Sequence, residues 1–93
     1  MHSYWVYIVT NVNNHVLYTG VTNDLRKRVA QHKAGVGSEF TSRYRAHKLV
    51  FYEGFRRITD AIAAEKRIKA GSRAKKIQLI EGLNPEWKDL SVE

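Results

Sequence analysis

At 93 residues the chain suits one domain around one modest hydrophobic core and is too short for two. It has no cysteine, so neither a disulfide framework nor a thiolate zinc site holds it together, and the 43% of hydrophobic residues must supply the core. This usage fits a reducing, cytoplasmic compartment. The N-terminal stretch lacks the basic region and cleavage site of a signal peptide, and no apolar run approaches the roughly 20 residues of a membrane span, so a soluble, unprocessed protein is expected.

Sixteen Lys and Arg stand against nine Asp and Glu, for a net charge of +7. The excess is uneven: fifteen of the basic residues fall between Arg26 and Lys76, while the last eight positions carry Glu86, Asp89 and Glu93 against Lys88 alone. Such a field attracts polyanions, and nucleic acid is the commonest one available to a protein of this kind. A merely solubilising surface is the competing explanation of charge by itself.

Residues 4–10 and 15–20 are rich in aromatic and β-branched side chains and flank the turn-formers Asn11, Asn13 and Asn14, which reads as a β-hairpin. A loop over 11–14 places Tyr7 directly across from Tyr18. Thr22 and Asn23 are expected to cap a helix over about residues 24–34, with Asp24 in its first turn, Leu25 and Val29 on its buried stripe, and Gly35 ending it. Residues 35–46 show no clear period and read as a mobile basic loop, followed by a third strand over 49–55.

Thr59 is expected to cap a helix reaching Ala70. Gly71 then stops it, and Ser72 caps a last helix with Ala74, Ile77 and Ile80 on its apolar stripe. Gly82 and Pro85 end that helix, and residues 83–93 are expected to trail along the surface or fray. The order strand, strand, helix, strand, helix, helix describes an α/β or α+β domain with a small, mainly antiparallel three-stranded sheet, as one domain over 1–83 and a tail over 84–93.

Three features break the pattern of a plain core. At about 100° per residue, Arg28 and His32 fall about 60° and 20° from Leu25, on the buried side of their helix and four residues apart. Snorkelling of Arg28 beside a partly buried His32 explains this as well as a shared cleft does. On the penultimate helix Glu65 sits inside the apolar arc of Ala61, Ala64 and Ile68, where a carboxylate needs a cation, a metal or a salt bridge such as one to Arg28. The pair Tyr7 and Tyr18 is, by itself, also an ordinary cross-strand aromatic pair. His2, His15 and His47 have no metal-ligand spacing and read as surface or strand residues.

Two strands carrying Val6-Tyr7-Ile8 and Tyr18-Thr19-Gly20, followed by the helix start Asn23-Asp24-Leu25-Arg26-Lys27-Arg28, resemble the GIY-YIG endonuclease family. The likeness covers about residues 3–81 and is closest to short, stand-alone bacterial members grouped with the repair excinuclease catalytic subunit; the closing Asn84-Pro85-Glu86-Trp87 is part of it. The sequence departs from the family pattern at Trp5, where the name-giving glycine would stand, and at Thr19, where isoleucine would. Asn84 alone offers a counterpart to the family's late asparagine.

The resemblance implies a GIY-YIG fold and a metal-dependent endonuclease acting on nucleic acid, DNA ahead of RNA, in repair or recombination, as a monomer or weak homodimer. It implies Tyr7, Tyr18, Arg28, His32 and Glu65 as the catalytic set. Glu65 would hold one Mg²⁺ or Mn²⁺, Arg28 would clamp phosphate oxygens, and Tyr7 ahead of Tyr18 would take a proton from water. His32 would orient or share that proton. Arg26, Lys27, Arg43, Arg45, Lys48, Lys66, Lys69, Arg73, Lys75 and Lys76 would track the backbone of the nucleic acid. The rival is a nucleic-acid-binding module on the same fold with little or no catalysis.

Overall fold

The computed structural model describes residues 2–91. Strands β1 (Tyr4–Thr10), β2 (Leu17–Thr22) and β3 (Lys48–Phe55) form one antiparallel sheet in the order β2-β1-β3. Helices are α1 (Leu25–Lys33), α2 (Glu39–Tyr44), α3 (Ile58–Ala70) and α4 (Arg73–Leu83). The expected α+β architecture is present, with the short α2 added between α1 and β3. No helix among the described residues is long and apolar enough to cross a membrane.

The central strand explains the layering. β1 is the central strand and helices cover both faces of the sheet, so Val6 through Thr10 are all buried and read as a continuous rather than an alternating run. Tyr7 and Val9 pack with Val29 of α1, Ala46 and Leu49 on one face. Val6 and Ile8 pack on the other against Ala61 and Ala64 of α3 and Ile80 of α4. Each fully buried valine or isoleucine among them contributes about 1.5–3 kcal/mol, and each alanine about 1 kcal/mol or less.

Several local expectations change. The hairpin register pairs Tyr7 with Gly20 and Val9 with Tyr18, not Tyr7 with Tyr18. Its loop runs through Val16, because Asn11 Oδ1 accepts from the backbone N–H of His15 and of Val16, and the Thr10 hydroxyl donates to the Val16 carbonyl at 2.6 Å. A shift of two residues keeps every side chain on its face, so both tyrosines still share one. Asp24, not Thr22 or Asn23, caps α1 by accepting from Lys27 N–H. Arg57 occupies the cap position of α3, so Thr59 lies inside that helix, whereas Ser72 caps α4 as expected. Ala74 is exposed, which leaves Ile77 and Ile80 to face the sheet side of α4.

Residues 35–46 are not an open loop: Ser38 caps α2 through Thr41 N–H, and Arg45 closes it in the left-handed region at φ 55°. Residues 84–91 do not fray either. The Asn84 side chain donates to the carbonyls of Val50 and Lys88 and accepts from Lys88 N–H. Leu90 N–H donates to Leu49 at 2.7 Å, and Asp89 accepts from Lys33 Nζ at 2.6 Å and from Leu49 N–H.

Partial burial by itself would raise the Asp89 pKa, but hydrogen bonds from Lys33 and Ser91 more than offset it and hold the carboxyl at about 2. With a folded pKa below the unfolded one, this carboxylate adds stability above roughly pH 4 and loses it as pH falls toward 2. Asp89→Ala should therefore lower the urea midpoint at pH 7, and the gap between variant and wild type should close progressively between pH 4 and 2. A gap that stays constant across that window would mean that the tail is not held by this carboxylate.

Candidate active site

Tyr7 sits at the middle of β1 with 1% of its surface exposed. Its cross-strand partner is Gly20, and a Cβ built at position 20 would come within 2.5 Å of the tyrosine hydroxyl. The glycine is thus required by close approach: it lets the Tyr7 ring lie across the edge strand β2. There the hydroxyl meets Nε2 of His32 at 2.8 Å, a bond buried between β1 and α1. His32 is likewise 1% exposed. This is the position that the helical wheel marked as facing the core.

The rest of the site gathers around that pair. Tyr18 packs edge-on against the His32 ring at 5.7 Å and stacks on Phe40 at 5.8 Å, and Phe40 in turn lies 4.8 Å from Tyr44. Phe40 and Tyr44 are 39% and 45% exposed, so a short aromatic ladder runs from the buried histidine out to the surface. Arg28, half-buried one turn before His32, donates to Gln31 Oε1 at 3.1 Å. Glu65 of α3 is half-buried and pairs with Lys69 at 3.3 Å, one turn along the same helix, rather than with Arg28.

Electrostatics link these groups. Burial raises the Tyr7 pKa above its ordinary value; the Arg28 guanidinium beside it works the other way but does not win, and the charges of Tyr18 and Glu65 add to the rise. Five residues from β1, β2, α1 and α3 therefore bear on one neighbourhood. His32 is pushed down to about 4, first by burial and then by Arg28, so its imidazole is neutral at physiological pH.

The described residues contain no cluster of three or more His, Cys, Asp or Glu, so the divalent ion implied by the resemblance would rest on Glu65 with few other protein ligands. Glu65 fits that role. It supplies hard oxygen from a half-buried position, and Mg²⁺ is commonly held by one or two carboxylates with waters and phosphate oxygens completing the shell.

Among the basic residues, Arg26, Lys27, Arg43, Arg45, Lys66, Lys69, Arg73 and Lys75 are exposed, while Lys48 and Lys76 are half-buried. Arg73 donates to the Asn14 carbonyl, joining α4 to the hairpin loop, and Lys76 donates to the carbonyls of Lys69 and Gly71, where it closes α3. Trp5 does not crowd the tyrosines. Its ring makes edge contacts with His2 and Tyr52 and lines a different cleft, with Leu25, Val29 and Leu90. Asn84 is fully engaged with the backbone of β3 and the tail.

Sequence reasoning missed Ser38, Phe40, Thr41 and Tyr44, all in the stretch read as loop. Ser38 followed by Glu39, with Thr41 three residues on, is the helix-start signal that marks them. The state of His32 is directly measurable. In a pH titration followed by NMR, its imidazole should hold the neutral chemical shift from pH 8 to 5 and move only near pH 4. A midpoint at the ordinary value of about 6.5 would mean that the ring is not enclosed as described.

A family model described as the GIY-YIG catalytic domain matches residues 3–78. A UPF0213 protein of Staphylococcus haemolyticus is 40% identical over 81 residues, covering 87% of this chain and 98% of its own length. One from Haloquadratum walsbyi is 40% identical over 78 residues, covering 84% and 86% respectively. The solution NMR structure of a UPF0213 protein from Bacillus halodurans superposes with a TM-score of 0.60 at 29% identity, over 92% of this chain and 90% of that one. With residues 3–78 matching that family model and relatives 40% identical over most of both chains, the chain belongs to the GIY-YIG catalytic-domain family.

Proposed function

We propose that the protein is a metal-dependent endonuclease that hydrolyses phosphodiester bonds, with DNA as its substrate ahead of RNA, in repair or recombination. One observation carries this reading: Tyr7, Tyr18, Arg28, His32 and Glu65, scattered over four elements, act on a single neighbourhood in which Tyr7 is bonded to a neutral imidazole. The basic surface of α1, α2, α3 and α4 supplies the general attraction for a polyanion.

In this reading Arg28 aligns the scissile phosphate through its planar fork and stabilises charge as it grows on the phosphoryl oxygens. Tyr7 receives a proton from the attacking water. Burial keeps Tyr7 a phenol, so it must release its own proton as it takes the new one, and the adjacent His32 nitrogen is the group placed to receive it. Tyr18 packs against that imidazole and fixes its tilt. Glu65 would hold Mg²⁺ or Mn²⁺, which when bound supplies Lewis-acid polarisation of the phosphate. Phe40 and Tyr44 offer aromatic faces on which an unpaired base can stack.

The raised pKa of Tyr7 also favours a second reading, a binding module that keeps the fold with little catalysis. The two separate in one experiment: labelled single-stranded, duplex, flap and branched DNA, and RNA, are incubated with Mg²⁺, with Mn²⁺ or with chelator while binding is recorded in parallel. Metal-dependent cleavage is expected, abolished by Glu65→Ala and reduced on the order of 10²- to 10⁴-fold by Tyr7→Phe. Phe40→Ala should weaken binding to single strands by about 1–3 kcal/mol while leaving duplex binding unchanged. Salt-sensitive binding without cleavage of any substrate would establish the module instead.

A further inference from the structure

Both ring nitrogens of His32 are partnered inside the protein: Nε2 faces the Tyr7 hydroxyl at 2.8 Å, and Nδ1 faces Thr41 Oγ1 at 2.9 Å. The Gly37 backbone closes the pocket, lying so near that a Cβ there would come within 2.1 Å of Nδ1. A neutral imidazole carries one N–H and one lone pair, so these contacts allow two arrangements. Either Nδ1–H donates to Thr41 and Nε2 accepts from Tyr7, or both bonds run the other way.

Counting hydrogens separates them. Arg28, the cation beside Tyr7, offers donors only. If Nε2 also carried a hydrogen, the Tyr7 oxygen would meet donors from two sides, and its own O–H would have no acceptor among the described residues bonded to it. With the hydrogen on Nδ1 the network closes. Thr41 accepts it and turns its own hydrogen toward Ser38, whose hydroxyl lies at 2.8 Å and carbonyl at 3.3 Å. The Ser38 hydroxyl accepts in turn from Thr41 N–H at 3.1 Å. Leaving a buried polar hydrogen without an acceptor costs about 1–3 kcal/mol, enough to set the preference.

We infer that Thr41 is a positioning residue: by accepting Nδ1–H it stabilises the His32 tautomer that the Tyr7 side of the ring requires, the one whose Nε2 lone pair faces Tyr7, and α2, capped by Ser38, holds the hydroxyl in place. The chemical consequence rests on the nuclease reading. As water gives a proton to Tyr7, the Tyr7 proton passes to Nε2. The water oxygen bonds to phosphorus, the bond from phosphorus to the leaving sugar oxygen breaks, and that oxygen takes a proton from solvent. The resulting imidazolium then returns its extra proton to the Tyr7 oxygen, which passes its outer proton to water as the product leaves. The opposite tautomer presents an N–H to Tyr7 and can take nothing.

Long-range proton–nitrogen correlation spectra of the ¹⁵N-labelled protein distinguish a protonated ring nitrogen from a bare one without substrate or metal. Wild type and Thr41→Ser should show protonated Nδ1 and bare Nε2 at His32, and Thr41→Val should lose that pattern. A wild-type spectrum with bare Nδ1 would overturn the inference even if Thr41→Val failed to fold, as would a folded Thr41→Val with an unchanged spectrum. On a substrate that wild type cleaves, Thr41→Val should lower turnover on the order of 10²-fold with binding unchanged, and Thr41→Ser should restore it to within about tenfold. If wild type cleaves nothing, the nuclease reading fails while the tautomer stands or falls on the spectrum.

Discussion

A single buried hydrogen bond, from the middle of the central strand to the last turn of the first helix, sets the geometry on which the site depends. Tyr7 and His32 are both almost fully enclosed, so the two polar atoms that face each other between β1 and α1 are best satisfied by one another. That requirement reaches outward. Gly20 must lack a side chain for the tyrosine to cross the edge strand, and Gly37 must lack one for the imidazole to seat. Thr41 must turn its hydroxyl inward, which fixes the short helix that carries it. Tyr18 and Phe40 then extend the packing to the surface.

Much of this could be read from residue order. The strands are marked by aromatic and β-branched runs, the first helix by its apolar stripe, and Arg28, His32 and Glu65 by lying on the wrong side of their helices for solvated groups. The register was not legible, since it depends on Asn11 holding two backbone amides and extending the loop by two residues. The even shift preserved the face, so the tyrosines stayed together despite the mispairing. Helix α2 was hidden because its six residues are mostly poor helix formers, and it is held by a side-chain contact from Thr41 back to His32 on the preceding helix.

The tail misled for a related reason. Polar and charged residues after Gly82 resemble a solvated end, yet Asn84 and Asp89 use their side chains as backbone partners for β3 and the residues around it. Local propensity does not report hydrogen bonds of this range. Burial carries function here as well as stability: it holds His32 neutral and Tyr7 protonated, so proton movement between them is favoured over ionisation of either by itself. The acid on α3 and the arginine on α1 are only half-buried, as the proposed contacts with an ion and a phosphate require.

The account stands most directly on the coupling between those two side chains, which a double-mutant cycle in urea measures. Tyr7→Phe strands His32 Nε2, and His32→Phe strands the Tyr7 hydroxyl; the double variant strands neither, and the loss of the Thr41 partner, common to the single and double His32 variants, cancels in the cycle. The double variant should therefore be less destabilised than the sum of the single ones, by about 1–3 kcal/mol. Effects that add to within about 0.5 kcal/mol would show that the bond does not organise the site, and the proton path built on it would fall with it.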